Sequence, residues 1–205
     1  MGTTLDTDIL KLAYTRGYFP MPHPETQEIL WFNPDPRAIL PLGGFHVSRS
    51  LRRQIAHGGF RITRDQCFAA VMHGCATTRK ETWINEEFQR VYVNLFREGH
   101  AHSLEVWHDA SSTQLAGGVY GVAMGGVFFA ESMFHRVADA SKVALYHLTE
   151  YLREQGFAMM EVQFLTPHLK SLGAVELPAS KYLAALREAL RLKPKFLSYT
   201  GPINP

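Results

Sequence analysis

The chain predicts an α+β fold built on one mixed, mostly antiparallel sheet, and three observations carry that expectation. Residues 119–122 and 127–129 are apolar runs rich in β-formers on either side of Met124-Gly125-Gly126, which reads as an antiparallel hairpin with a glycine turn. Leu145, Leu148 and Leu152 then fall on one face at helical spacing, behind Asp139 at the position of an N-cap. Beyond Gly156, residues 159–164 alternate as a strand and residues 182–190 complete a strand-helix pattern. A strand meander, a helix, a further strand and a last helix make an α+β arrangement.

With 205 residues and 46% hydrophobic content, the chain suffices for one substantial domain with a small addition. The expected division is 1–36, a small N-terminal helix and proline-rich segment, and 37–205, the body. No run of about 18 apolar residues occurs, so no membrane span is expected. The start, MGTTLDTDILKLAY, is acidic where a secretory signal is basic and apolar, so a cytoplasmic protein is expected. Cys67 and Cys75 lack CxxC spacing and read as inert buried thiols. The net charge of +2 is uninformative, but its distribution is not. Between Asp35 and Asp65 there is no acid, while Arg37, Arg49, Arg52, Arg53, Arg61 and Arg64 all fall there. Such a run forms either a phosphate-binding face or a solvated strip.

In chain order, residues 7–16 predict a short helix capped by Asp6 or Asp8, with Ile9, Leu12 and Ala13 as its apolar face and Gly17 as its stop. Pro20, Pro22, Pro24, Pro34, Pro36 and Pro41 exclude regular helix from the next stretch, which is expected to wrap across the body. Residues 48–57 read as a capped basic helix with Leu51 and Ile55 inward, and residues 60–63 as a strand. A helix over 65–75 buries Phe68, Val71, Met72 and Cys75; Trp83 sits in a loop; a second helix carries Phe88, Val91, Tyr92 and Leu95. AHSLEVW is a strand of the central sheet. His100, His102 and His108 are its candidate metal ligands, but no Cys or carboxylate stands ready to complete a site, and no metal is expected.

Two places suggest chemistry. Glu131 ends the second hairpin strand among Phe128, Phe129, Met133 and Phe134, a carboxylate set beside hydrophobic bulk; the bland alternative is a solvated loop residue. Alternation puts Glu161 and Gln163 on one strand face, with Met160, Val162 and Phe164 on the other. Under covering helices that polar pair needs partners; an exposed sheet face is the alternative. No GxSxG, GxxxxGK[ST] or post-strand GxGxxG occurs. The loop FHRVADASK has no glycine, and Asp139 at its helix start would repel an anion, which argues against a bound coenzyme A.

GGVYGVAMGGVFFAESMF followed by DASKVAL closely resembles the core of the bacterial leucyl/phenylalanyl-tRNA–protein transferases. YxRGxFPM, WxxPDPRAIL, FHVSRSLRR and AHSLEVW extend the resemblance over nearly the whole chain. It implies a body with the fold of the GCN5-related acetyltransferases (acyl-CoA N-acyltransferase-like). It also implies movement of Leu or Phe, with Met as a further donor, from aminoacyl-tRNA to the N-terminal Arg or Lys of an acceptor protein, marking it as an N-degron. No cofactor and no membrane are expected, and the expected state is a monomer.

The resemblance also assigns residues. Glu161 and Gln163 match the family's Asp-x-Gln, and Glu131 matches the ESMF glutamate. On this reading Glu161 orients or deprotonates the incoming amine, and Gln163 polarises the ester or fixes Glu161. The aminoacyl pocket draws on Val119, Met133, Leu145 and Leu148; Tyr14, Trp83 and Tyr92 contact the terminal adenosine; Arg49 and Arg53 contact phosphates. Glu161 in place of aspartate lengthens the carboxylate arm by one methylene, and Pro178-Ala179-Ser180-Lys181 replaces the usual Pro-Arg after SLGA. Two alternatives stay open: a CoA-dependent N-acyltransferase, and a non-catalytic binder of aminoacyl-tRNA 3′ ends.

Overall fold

The computed structural model describes residues 5–57, 59–78, 82–109 and 111–199. In chain order the first half comprises α1 (Thr7–Thr15), β1 (Phe19–Pro22), β2 (Ile29–Phe32), β3 (Arg37–Leu40), α2 (Arg49–His57), β4 (Arg61–Arg64), α3 (Phe68–Thr77) and α4 (Glu86–Arg97). The second half comprises β5 (Ala101–Trp107), β6 (Leu115–Met124), β7 (Val127–His135), α5 (Ala140–Glu154), β8 (Met159–Gln163), α6 (Pro167–Ser171), β9 (Val175–Leu177) and α7 (Ala179–Ala189). Seven strands form one sheet in the order β4-β5-β6-β7-β8-β3-β9. Every neighbouring pair is antiparallel except β7 and β8, which α5 joins as a crossover.

The covering layers follow from burial. On one face α3, α4 and α7 pack with α1 against Tyr120, Val122, Phe129 and Phe134. On the other, α5 sets Val143, Leu145, Leu148 and Leu152 against Leu104, Val106, Val119, Phe128 and Met160. With both faces covered, every residue of β5 is buried. His102 on that strand lies 2.8 Å through Nδ1 from Asp65 and stacks on Phe196, whereas His100 precedes the strand.

Two N-terminal expectations change. Asp6 caps α1, accepting from the Ile9 N–H at 2.8 Å, but the buried residues are Leu10 and Tyr14, and Leu12 is 52% exposed. Both faces of this helix are apolar in sequence, and packing against α4 and β6 selects the one carrying the aromatic ring. The proline-rich stretch is extended and paired: β1 and β2 form a separate ribbon, and β3 inserts between β8 and β9. A two-stranded ribbon leaves each strand one unpaired edge, where Pro20 and Pro22 are tolerated.

The central hairpin turns at Gly125-Gly126, but β7 does not stop at Glu131; it runs on to His135. Tyr120 pairs with Ser132 while Gly121 pairs with Ala130, so Glu131 is the extra residue of a β-bulge. Gly121 permits this: a Cβ there would lie 2.2 Å from the Phe129 carbonyl oxygen. Pairing of β7 with β8 covers only 127–129 and 159–161. Past that point the two strands are unpaired, and Glu131 and Gln163 face each other across the gap. Among the described residues no helix is long and apolar enough to cross a membrane.

Candidate active site

Glu131 is 6% exposed, and the bulge holds it in place. The Tyr14 hydroxyl, from α1, donates to its Oε1 at 2.8 Å and is itself in hydrogen-bond contact with the Tyr92 hydroxyl from α4. The Gln163 side-chain amide donates to its Oε2 at 3.1 Å. Burial pushes the carboxyl up to about 8, with Glu161 adding to the rise and the donors Tyr14, Tyr92 and Gln163 opposing it. A carboxyl in that range exchanges its proton near neutral pH, which an ordinary surface glutamate does not.

Glu161 is placed differently from the expectation. It is 0% exposed, and its Oε1 receives Arg37 Nη1 at 3.2 Å and the Gln163 backbone N–H at 2.6 Å. Burial pushes this carboxyl upward while the Arg37 guanidinium works against the rise. Sealed beneath the surface, Glu161 is absent from the cavity lining, whereas the expectation set it facing the incoming amine. Gln163 closes β8 with a φ of +65°, so the alternation ends there: Gln163 faces the cavity, and Phe164 is 45% exposed with its edge on Phe19. The shared strand face of Glu161 and Gln163 becomes one residue behind the site and one in it.

A cavity of about 670 Å³ opens over this gap. Of the expected site residues, Glu131, Gln163, Trp83, Val119, Met133 and Leu145 line it. Tyr14, Tyr92 and Leu148 do not: all three are fully buried, so the tyrosines hold Glu131 from behind rather than contact an adenosine, and Leu148 is core. Arg49 and Arg53 lie exposed on α2, away from the cavity wall.

The model of the leucyl/phenylalanyl-tRNA protein transferase family matches residues 39–187, and that of the family's N-terminal domain matches residues 3–35. This chain belongs to that family of aminoacyltransferases. It is 50% identical over 188 residues to the leucyl/phenylalanyl-tRNA–protein transferase of Ruegeria pomeroyi, covering 91% of this chain and 88% of that one. It is 46% identical over 196 residues to that of Gloeobacter violaceus, covering 96% and 100%. Solved structures with a similar chain path include L-PGS from Bacillus licheniformis (13% identity, TM-score 0.47, 90% of this chain and 71% of that one). Another is a GCN5-related N-acetyltransferase from Sphaerobacter thermophilus (12%, 0.45, 84% and 54%).

Sequence reasoning missed several residues that line this cavity. His135, Ser141, Lys142 and His168 also line the cavity; for Ser141 and Lys142 the available signal is the DASK segment beside Asp139. Asp139 sits at the N-cap position with φ +65° and makes no capping bond; its carboxylate pairs with Lys142 at 2.7 Å. Its charge is thus partly countered at the start of α5. Arg37, counted among the basic strip, is a buried partner of Glu161. The Cys67 thiol is pushed up to about 12, chiefly by burial, and stays protonated.

Proposed function

We propose that this transferase moves leucine or phenylalanine, with methionine as a further donor, from aminoacyl-tRNA to the N-terminal Arg or Lys of a protein and so marks it for degradation. The observation that supports the reading best is Glu131, a carboxyl near 8 tied to Gln163 in the lining of a cavity walled also by Val119, Met133 and Leu145. An acceptor α-amine titrates at about 7.7–8.0, so a base in the same range is matched to its proton. The apolar wall suits a Leu or Phe side chain, and Trp83 offers a ring face to the terminal adenosine. Arg49 and Arg53 carry the tRNA backbone; neither is in an ion pair among the described residues. The Arg or Lys preference follows the family resemblance.

The neutral amine attacks the ester carbonyl carbon, and Glu131 accepts the proton that the nitrogen sheds. Gln163 donates to Glu131 through Nε2, which leaves its carbonyl oxygen to orient the amine. The carbon–oxygen bond to the ribose breaks, and the ribose oxygen takes up the proton as the peptide bond completes. The ester is already activated, so positioning and desolvation carry the rate and no cofactor is called for.

The test combines leucyl-tRNA with a peptide beginning in Arg and a control beginning in Ala, read by mass spectrometry with and without ribonuclease. Gain of one leucine on the Arg peptide alone, abolished by ribonuclease, is the expected result. Gain of acetyl from acetyl-CoA without RNA, or leucyl-tRNA binding without transfer, would overturn it.

A further inference from the structure

We infer that Arg37 is a positioning residue for the transfer step: through Glu161 it locks Gln163 against Glu131, and it makes the N-terminal segment part of that lock. Arg37 is 1% exposed on β3. Its Nη1 binds Glu161, and its Nη2 binds both the Gly17 carbonyl and Asn33 Oδ1, the latter at 3.0 Å. The guanidinium carbon lies 5.0 Å from the Phe19 ring centre and 4.6 Å from that of Tyr182. A cation so enclosed is costly, the more so because its Nε and the Glu161 Oε2 find no hydrogen-bond partner among the described residues, and an apolar side chain on β3 would fill the same space at less cost.

The bond pattern shows what the charge does there. Glu161 Oε1 is shared between Arg37 and the Gln163 backbone N–H. Arg37 therefore sets where that oxygen stands, and the oxygen binds the backbone N–H of Gln163 at φ +65°, a left-handed conformation that non-glycine residues adopt only rarely. That turn aims the Gln163 amide at Glu131. On the far side Tyr14, three residues before Gly17, donates to the other oxygen of Glu131. Both carboxyls are thus tied back to one corner of the N-terminal segment, where Gly17 takes φ +81° and a Cβ would lie 2.9 Å from Leu183. Residues 5–36 complete the reaction centre from behind.

A lysine keeps one charge for Glu161 but lacks the planar fork that reaches Gly17 and Asn33 together. The inference rests on the transfer reading, so the experiment pairs kinetics with a readout independent of turnover. Arg37→Lys, Arg37→Gln, Glu161→Gln and the double variant Arg37→Gln/Glu161→Gln are compared with wild type. Arg37→Lys should lower kcat roughly tenfold or more while KM for leucyl-tRNA stays within about twofold. Either single neutralisation strands a buried charge and should lower the melting temperature; the double variant strands none and should regain it. The double variant should nonetheless keep a low kcat, and the ¹⁵N side-chain amide of Gln163 should lose order in NMR relaxation. Recovery of kcat together with stability would make the pair merely structural and overturn the inference. So would an equally ordered Gln163 amide in double variant and wild type. A wild type that transfers nothing would sink the transfer reading alone, because the Gln163 amide still decides whether Arg37 positions it.

Discussion

The Gln163 side-chain amide donates to Glu131 Oε2 at 3.1 Å across the gap where β7 and β8 cease to pair. Neither residue reaches that position by regular strand geometry: one is a bulge residue, the other a left-handed strand end. The geometry that joins them therefore depends on two local departures from the sheet, each held by a buried partner.

Glu131→Gln keeps the shape and an acceptor oxygen for the Tyr14 hydroxyl but removes the proton-accepting group. Turnover should fall about 10²-fold or more, the usual worth of a positioned general base. In wild type, log kcat/KM should climb with pH up to about 8, because protonated Glu131 cannot accept a further proton. The climb should be shallower in Glu131→Gln, where only the acceptor amine titrates. An unchanged pH profile would remove Glu131 from proton transfer.

The same carboxyl ties stability to pH. Folded Glu131 keeps its proton to about 8, whereas exposed in the unfolded chain it releases it near 4.5. Between those values the folded state binds more protons, so the contribution of this group is full below about 4.5 and is lost as pH rises through about 8. Urea midpoints should therefore drop further between about pH 6 and about pH 9 in wild type than in Glu131→Gln. Equal drops would show that burial does not raise the group.

Gly121→Ala tests the bulge. Its Cβ would meet the Phe129 carbonyl at 2.2 Å and the Phe128 ring at 2.5 Å. Strand β7 must shift to admit it, and Glu131 moves with the strand. We expect a loss of more than about 2 kcal/mol in chemical denaturation, in the range of strained or overpacked core sites. Near-wild-type stability and turnover would mean that the bulge does not depend on this glycine.

The basic face of α2 is tested by salt. Arg49→Ala and Arg53→Ala should weaken tRNA binding and reduce the slope of log K against log salt by about 0.7–0.9 for each phosphate that is no longer neutralised. Transfer from a short aminoacyl-adenosine donor should be unaffected, since neither residue lines the cavity. An unchanged salt slope would place the tRNA elsewhere.

Much of the fold was legible because its signals are local. The glycine turn, the leucine face of α5, the apolar stripe Phe88, Val91, Tyr92 and Leu95 of α4, and Asp6 as a cap all stand as read. Site residues were legible by type but not always by role. Tyr14 and Tyr92 were read as ligand contacts and hold Glu131 from behind; Glu161 was read as facing the amine and lies sealed under Gln163. A bulge such as that at Glu131 shows only once the partner strand and its register are known.

The order of elements and the chemical kinds available follow from local sequence, because hydrophobic period, caps and turns act over a few residues. Tertiary structure alone decided which polar groups are sealed and which are offered to a substrate. Burial of Arg37 and the rise of Glu131 depend on side chains that meet them from far along the chain: Gly17, Asn33 and Glu161 around the one, Tyr14, Tyr92 and Gln163 around the other. The proton affinity of a carboxyl is set by the water removed from it and the donors aimed at it, and both are properties of packing.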